Sequence, residues 1–280
     1  MARWRKLGVI AGRGALPVRI IAACAARGEP CHVIRLAGIA DPALAGAPGD
    51  DCGIAEVGKI IRVLKKENCD AAVFAGNVQR PDFSKLRADW RGTALLPKVI
   101  AAAARGDGAI LNVLVETLEA EGIVVIGAEE AAQSLIAAAG AMTRRSLDER
   151  NIADICKAAA LVSALGPFDV GQGAVVAGGL VLAIEAAEGT DAMLDRCAAL
   201  PEAMTRGGVL VKRPKPGQEL RIDLPVIGAE TIRRAARARL AGVAVEAGVA
   251  LIIDRDEVVA LADESGLFVY GFSAYEVSGP

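Results

Sequence analysis

The sequence predicts an α/β protein of two domains, and three observations predict it. The chain has 280 residues, and domains run to roughly 100–200 residues each, so two ordinary domains fit the length. Apolar residues make up 53% of it against 24% charged, which is enough to build a substantial core. Short apolar runs alternate with helical patterns through the first half, whereas the second half opens on an antiparallel pair. The alternation implies a parallel sheet with helices on both faces, and the second half reads as a mixed α/β domain. The domains are expected over 1–132 and 133–280.

Each element follows from its local pattern. Leu7–Ala11 is a short apolar run ending at Gly12 and reads as a buried strand. Ala15–Ala26 has helical periodicity and stops at Gly28, a C-terminal cap. Cys31–Leu36 reads as a strand, Lys59–Lys66 as a helix and Ala71–Ala75 as a strand ending in Gly76-Asn77. Pro97–Ala104 and Ala109–Ala120 read as helices separated by Gly106-Asp107-Gly108, and Ile123–Ile126 as a strand closed by Gly127. Helical patterns dominate from Glu130 to Leu165, and Ser146-x-x-Glu149 matches a capping box. Ala174–Ala177, Gly178-Gly179 and Leu180–Ile184 form a β-hairpin with a two-residue glycine turn. Thr190 or Asp191 would cap a helix over Ala192–Leu200. Val209–Val211 is a strand before a proline-punctuated loop, and Thr231–Leu240 is a basic helix. Val249–Ile253, Glu257–Ala262 and Leu267–Tyr270 read as strand, helix and strand.

Composition restricts the chemistry. The formal net charge is −2 and aromatics are 3%, which argues against a nucleic-acid binder using phosphate contacts or base stacking. His32 is the single His, so a site with several His ligands is excluded, and in its apolar strand it reads as structural. The six cysteines show no C-x-x-C spacing and read as buried small hydrophobes of a reducing compartment. No targeting or spanning segment is visible. The uncharged stretch Val170–Ile184 falls short of the ~20 residues a spanning helix needs. A cytoplasmic location is expected, with peripheral membrane contact left open.

Several segments carry candidate chemistry. Gly12-Arg13-Gly14 follows the first strand, where a glycine turn can present amides to a phosphate. The dinucleotide fingerprint is incomplete: position 17 is Pro, and no acid follows the second strand until Asp41. A plain tight turn is the alternative, and NAD binding is disfavoured. Asn77 and Arg80 lie beyond a central strand, the edge where ligands of open α/β sheets gather. The segment Lys212 to Pro225 holds Lys212, Arg213, Lys215, Gln218, Arg221 and Asp223, with prolines at 214, 216 and 225 that forbid a continuous helix. If extended, it turns Arg221 and Asp223 to one side, and several cations beside a carboxylate suit a phosphate and Mg²⁺. A solvated charged loop is the alternative. Gln172 precedes the hairpin, and Glu188, Thr190 and Asp191 follow it; Glu188 or Asp191 could join a metal site, or Thr190 and Asp191 could simply cap a helix. Arg233, Arg234, Arg237 and Arg239 form a basic helix face, open to anionic headgroups or merely solvated.

Taken together, these segments resemble the LpxI-type UDP-2,3-diacylglucosamine pyrophosphatases of lipid A biosynthesis. The resemblance is carried by Leu7–Pro17, Phe74–Asp82, Gly106–Ala109, Gly171–Val176, Glu185–Met193 and Lys215–Gly228, in family order from Leu7 to about Phe272. It implies a Rossmann-like N-terminal domain, a separate C-terminal α/β domain, and a substrate cleft between them. It implies Mg²⁺-dependent hydrolysis of UDP-2,3-diacylglucosamine to UMP and 2,3-diacylglucosamine 1-phosphate by water attack at the α-phosphorus. It makes Asp223 the key catalytic acid, either as Mg²⁺ ligand or as the group that orients the water. On this reading Arg221, Lys215 and Lys212 stabilise phosphate charge, and Gln218 and Gln172 position substrate polar groups. Glu188, Thr190, Gly12, Gly14, Asn77 and Arg80 complete the substrate contacts. The small-residue helices and the uncharged hairpin are candidates to wall an acyl-chain chamber. The expected partner is a lipid-linked UDP-sugar, with no nucleic acid; transient contact with the inner membrane and a homodimer are left open. A non-catalytic nucleotide-sugar or lipid-binding module and a nucleotide-dependent oxidoreductase are the alternatives.

Overall fold

Five parallel strands form the sheet of the first half: β1 (Leu7–Ala11), β2 (Cys31–Leu36), β3 (Gly49–Cys52), β4 (Ala71–Ala75) and β5 (Val124–Val125), in the order β3-β2-β1-β4-β5. The structure is a computed structural model that describes residues 4–78, 82, 87–104 and 106–278. All of β1 is buried, as expected for a parallel sheet covered on both faces. The helices are α1 (Ala15–Arg27), α2 (Val57–Lys66), α3 (Trp90–Ala103), α4 (Asp107–Glu119) and the short α5 (Ala128–Ala131). Small residues permit close helix-on-sheet contact: a Cβ on Gly8 would sit 2.2 Å from Cδ2 of Leu64 on α2. His32 is buried and bonds Asp50 through Nε2 at 2.8 Å, a structural role.

Two elements depart from expectation. The edge strand β3 has the sequence Gly-Asp-Asp-Cys, with both carboxylates exposed, so no apolar pattern announces it. Helix α3 starts at Trp90 instead of Pro97, because Asp89 caps it by accepting from the Gly92 amide at 2.8 Å; Pro97 lies inside the helix.

The strand order places the loops after β1 and β4 side by side. Arg13 donates its amide to the Asn77 carbonyl at 3.0 Å, and Asn77 returns the bond at 2.9 Å. Glycine is required there. Gly76 has φ +89°, and a Cβ on it would meet the Arg13 carbonyl oxygen at 2.6 Å.

The second half contains β6 (Gly140–Ala141), α6 (Glu149–Leu165), β7 (Gly173–Ala177), β8 (Leu180–Ile184), α7 (Gly189–Ala198), α8 (Glu202–Thr205) and β9 (Val209–Lys212). It continues with β10 (Val226–Ile227), α9 (Ala229–Arg237), β11 (Gly242–Glu246), β12 (Leu251–Ile252), α10 (Arg255–Glu264), β13 (Phe268–Phe272) and α11 (Ala274–Ser278). Its main sheet runs β6-β13-β11-β9-β7-β8, parallel across β13, β11 and β9 and antiparallel at both edges. A separate parallel pair joins β10 and β12. Alternate residues feed two cores. Leu210, Val243 and Val245 pack with Leu194, Ile232 and Val258, while Val211, Ala244 and Phe268 pack with Ile155, Ala159 and Val162.

The hairpin is as expected, and buried Asp154 of α6 fastens its turn by accepting from the Gly178 and Gly179 amides at 2.8 and 2.7 Å. The capping box lies at Asp148 and Asn151 instead of Ser146 and Glu149, because Asp148 reaches the Asn151 amide. Strand β11 was not expected: the strand expected over Val249–Ile253 is the short β12, and Gly242–Glu246 lies before it. By contacts the chain divides into Met1–Gln133 with Glu219–Ile222, and Ser134–Gln218 with Asp223–Pro280.

Both tryptophans, Trp4 and Trp90, belong to the first unit, so their fluorescence follows its unfolding. In urea melts read this way, Gly76→Ala should cost about 2–3 kcal/mol, from positive φ together with the clash. Gly28→Ala, also at positive φ but with open space around its Cβ, should cost about 1 kcal/mol. Equal losses would refute the close approach at Gly76.

Candidate active site

The site in the second unit is set by the antiparallel pairing of β7 and β9. Gly173 lies opposite Lys212, so Gln172 and Lys212-Arg213 meet at one sheet end, where the Arg213 amide donates to the Gln172 carbonyl at 3.0 Å. The loop after β9 then brings Asp223 back to the same place. Gln172 Nε2 donates to Asp223 Oδ1 at 2.6 Å. Gln218 shapes the loop: its Oε1 accepts from the Lys215 amide at 2.9 Å, and its Nε2 donates to the Asp223 carbonyl. The side-chain amide of Gln218 is therefore engaged by the loop itself.

Carboxylates from three other elements hold the cations. Lys215 Nζ donates to Asp169, before β7. Arg213 Nη2 lies 2.9 Å from Glu246 at the end of β11. Lys212, only 6% exposed, donates to Thr190 Oγ1 at 2.6 Å, and the Thr190 hydroxyl donates to Glu185 Oε1 at 2.8 Å. Glu185 Oε2 is buried, bonded to no hydrogen-bond donor among the described residues, and 3.8 Å from Lys212 Nζ. Thr190 is thus a relay between Lys212 and Glu185, not the helix cap expected of it; Glu188 occupies the cap position of α7 without capping it through its side chain. Asp191 is not a side-chain cap either, and it approaches Arg234 at 3.7 Å.

Burial pushes the Asp223 carboxyl above its ordinary range. The Gln172 bond and the Lys215 and Lys212 charges pull it down, and Glu185 adds to the rise. Sequence reasoning left Glu185, Asp169 and Glu246 without a role. The one signal for Glu185 is a carboxylate placed directly after an uncharged strand.

Other expected site residues lie elsewhere. The segment 213–225 is not extended: it turns at Leu220–Ile222, with the Ile222 amide bonded to the Glu219 carbonyl at 3.1 Å. Arg221 therefore does not share a strand face with Asp223. It pairs with Glu219 at 2.8 Å and Glu119 at 2.6 Å, both in the first unit, and these carboxylates raise its pKa. Glu188 is exposed and pairs with Arg196. Gly12, Gly14 and Asn77 lie together at the end of the first unit's sheet. Gly12 packs on Asn77, and Gly14 faces open space. Arg80 falls outside the described residues. The basic face of α9 is internally neutralised: Arg233 meets Glu257, Arg234 meets Asp195 and Glu230, and Arg237 meets Asp195 and Glu230.

Among the described residues, no group of three His, Cys, Asp or Glu side chains could hold a metal ion. An all-protein cage is thus absent from them. Asp223, with no described donor on Oδ2, fits the other mode open to Mg²⁺: one or two carboxylates completed by water and substrate phosphate oxygens. No described helix is long and apolar enough to cross a membrane.

Fold and site together define an α/β protein whose second unit gathers buried carboxylates and cations at one sheet end. The model of the LpxI N-terminal domain matches residues 6–135, and that of the LpxI C-terminal domain matches 138–270. The UDP-2,3-diacylglucosamine pyrophosphatase LpxI of Caulobacter vibrioides is 51% identical over 277 residues, covering 97% of this chain and 99% of the relative. The chain belongs to the LpxI family.

A buried carboxyl with a raised pKa favours folding when protonated and opposes it when ionised. That contribution is present below the ordinary value of 3.8 and is lost as pH rises through the folded value. Asp223→Asn should therefore melt at a higher temperature than the parent at pH 7 in chelator. The difference should shrink as pH falls toward 3.8. A lower melting temperature at pH 7 would show that the ionised carboxylate is a net stabiliser.

Proposed function

We propose that this protein hydrolyses UDP-2,3-diacylglucosamine to UMP and 2,3-diacylglucosamine 1-phosphate, with Mg²⁺, by attack of water at the α-phosphorus. The single observation that carries the reading is Asp223: half-buried, held at one oxygen by Gln172, and flanked by Lys212 and Lys215. Full-length similarity to a protein named for this activity supports it.

The reaction forms one bond from the water oxygen to phosphorus and breaks the bridging P–O bond. The lipid 1-phosphate leaves with its electron pair. Asp223 has two roles open to it, as Mg²⁺ ligand or as the acceptor that orients the water and receives its proton. A raised pKa suits the second role, because proton transfer is best matched when the base titrates nearer the working pH. A bound Mg²⁺ would supply charge neutralisation at the diphosphate and polarise the water. Gln172 fixes the rotamer of Asp223. Lys212 and Lys215 lend charge to the phosphates, and their carboxylate partners hold them in place until substrate arrives. Arg221 adds charge only by exchanging Glu219 or Glu119 for a phosphate oxygen.

A diacylated substrate resides in a membrane, so a cytoplasmic protein touching the inner membrane transiently belongs to this reading. The neutralised face of α9 supplies no free cationic patch for that contact. The exposed Leu180 and Val181 on β8 are the better candidates.

Purified protein should release UMP from UDP-2,3-diacylglucosamine with Mg²⁺ and lose that activity in chelator. Asp223→Ala should lower kcat by about 10²–10³ or more, and UDP-N-acetylglucosamine should be a poor substrate. Failure of the wild type would refute hydrolysis and leave a binding module. Full activity in Asp223→Ala would refute only the site.

A further inference from the structure

We infer that Cys24 and Cys31 form an oxidisable dithiol within the first unit: a hydroperoxide converts Cys31 to a sulfenic acid, and Cys24 closes it to a reversible disulfide. The inference stands apart from the hydrolysis reading. Backbone geometry brings the two residues together. Cys24 lies on the buried face of α1 with Pro17 and Ile20. The helix ends on Gly28, and the Glu29 amide folds back to the Cys24 carbonyl at 2.9 Å. The Pro30 carbonyl then accepts from the Leu7 amide at 3.0 Å, which seats Cys31 opposite Leu7 as the first residue of β2. Along β2, Ile34 and Leu36 pack with Ile60 and Ile61 of α2, so Cys31 and Val33 lie on the other face of the sheet. The two thiols hydrogen-bond to each other. This corner is at the start of the strands, whereas Gly12 follows their opposite end.

The surroundings give the two sulfurs different parts. Cys31 is half-buried and therefore within reach of a small oxidant, while Cys24 is buried. The bond from Cys24 brings the Cys31 thiol down to about 7; burial opposes this, and the Lys6 charge adds to it. A partly exposed thiol beside a cation is the setting of reactive cysteines. The same bond, with burial, holds Cys24 well above the ordinary thiol range, so it stays protonated. Cys52, Cys69 and Cys197 are buried, and burial raises all three thiols, which makes them poor nucleophiles. In the first step the Cys31 thiolate attacks a peroxide oxygen. A sulfur–oxygen bond forms, the O–O bond breaks, and the oxygen that leaves takes a proton to become water. In the second step Cys24 sulfur attacks Cys31 sulfur. The S–S bond forms, the S–O bond breaks, and the Cys24 proton leaves with the hydroxide as a second water. Two thiols are oxidised, and one hydrogen peroxide is reduced to two waters.

The test treats the native full chain with hydrogen peroxide and maps its peptides. Trypsin cuts after Arg19, Arg27 and Arg35, so the bridge joins peptide 20–27 to peptide 28–35. That linked pair should appear on oxidation and vanish with dithiothreitol, which should restore the lost thiols. In Cys24→Ala, Cys31 should be trapped by dimedone as a sulfenic acid; in Cys31→Ala, Cys24 should stay unmodified. The bridge closes a short loop between α1 and β2, so the oxidised wild type should melt higher by about 4 °C or more, read by tryptophan fluorescence. No linked pair in the wild type overturns the dithiol, and this readout needs no variant to fold. A dimedone adduct on Cys24 in Cys31→Ala overturns Cys31 as the attacking thiol. A linked pair that lowers the melting temperature or leaves it unchanged overturns the fit of the bond to the native fold.

Discussion

A carboxylate withdrawn from water must be compensated or it will protonate, and Asp223 is such a group. The surrounding structure is arranged around that requirement. Gln172 reaches it because β7 and β9 pair antiparallel, and Lys212 faces it from the last residue of β9. Lys215 is held on the loop by Gln218 and Asp169. Lys212, Arg213 and Lys215 lie among Asp169, Glu185, Asp223 and Glu246, so each of the three cations has a carboxylate near it. Buried pairs of this kind contribute little net stability, so their value lies in orientation.

The parts of the fold that were legible in the sequence are those where burial writes directly into composition. β1 and β4 are continuous apolar runs because both faces of a parallel sheet are covered. The hairpin was legible because two glycines supply the positive φ of its turn. β3 was not, since an edge strand with exposed aspartates has no apolar face to display. Helix α3 was misplaced because Pro97 reads as a first-turn residue, whereas Asp89 caps the helix earlier.

The site was legible in its residues and not in its pairings. Asp223, Lys212 and Lys215 are named by the local charge pattern, but Gln172 stands 51 positions from Asp223, and only the sheet register joins them. Arg221 and Asp223 have the spacing of one strand face, and a turn at Leu220–Ile222 removes the strand. The capping role read for Thr190 failed because a hydroxyl near a buried Lys-Glu pair is better used as their bridge. In the first unit, Gly12 and Gly76 are explained by close approach of two loops, whereas Gly14 faces open space.

In the proposed hydrolysis a water attacks the α-phosphorus, and the single His is already bonded to Asp50. Hydrolysis in H₂¹⁸O tests most directly which of the two phosphorus atoms is attacked. Attack at the α-phosphorus puts one ¹⁸O in the phosphate of UMP and none in 2,3-diacylglucosamine 1-phosphate. Label in the lipid phosphate, or UMP free of label, would contradict it.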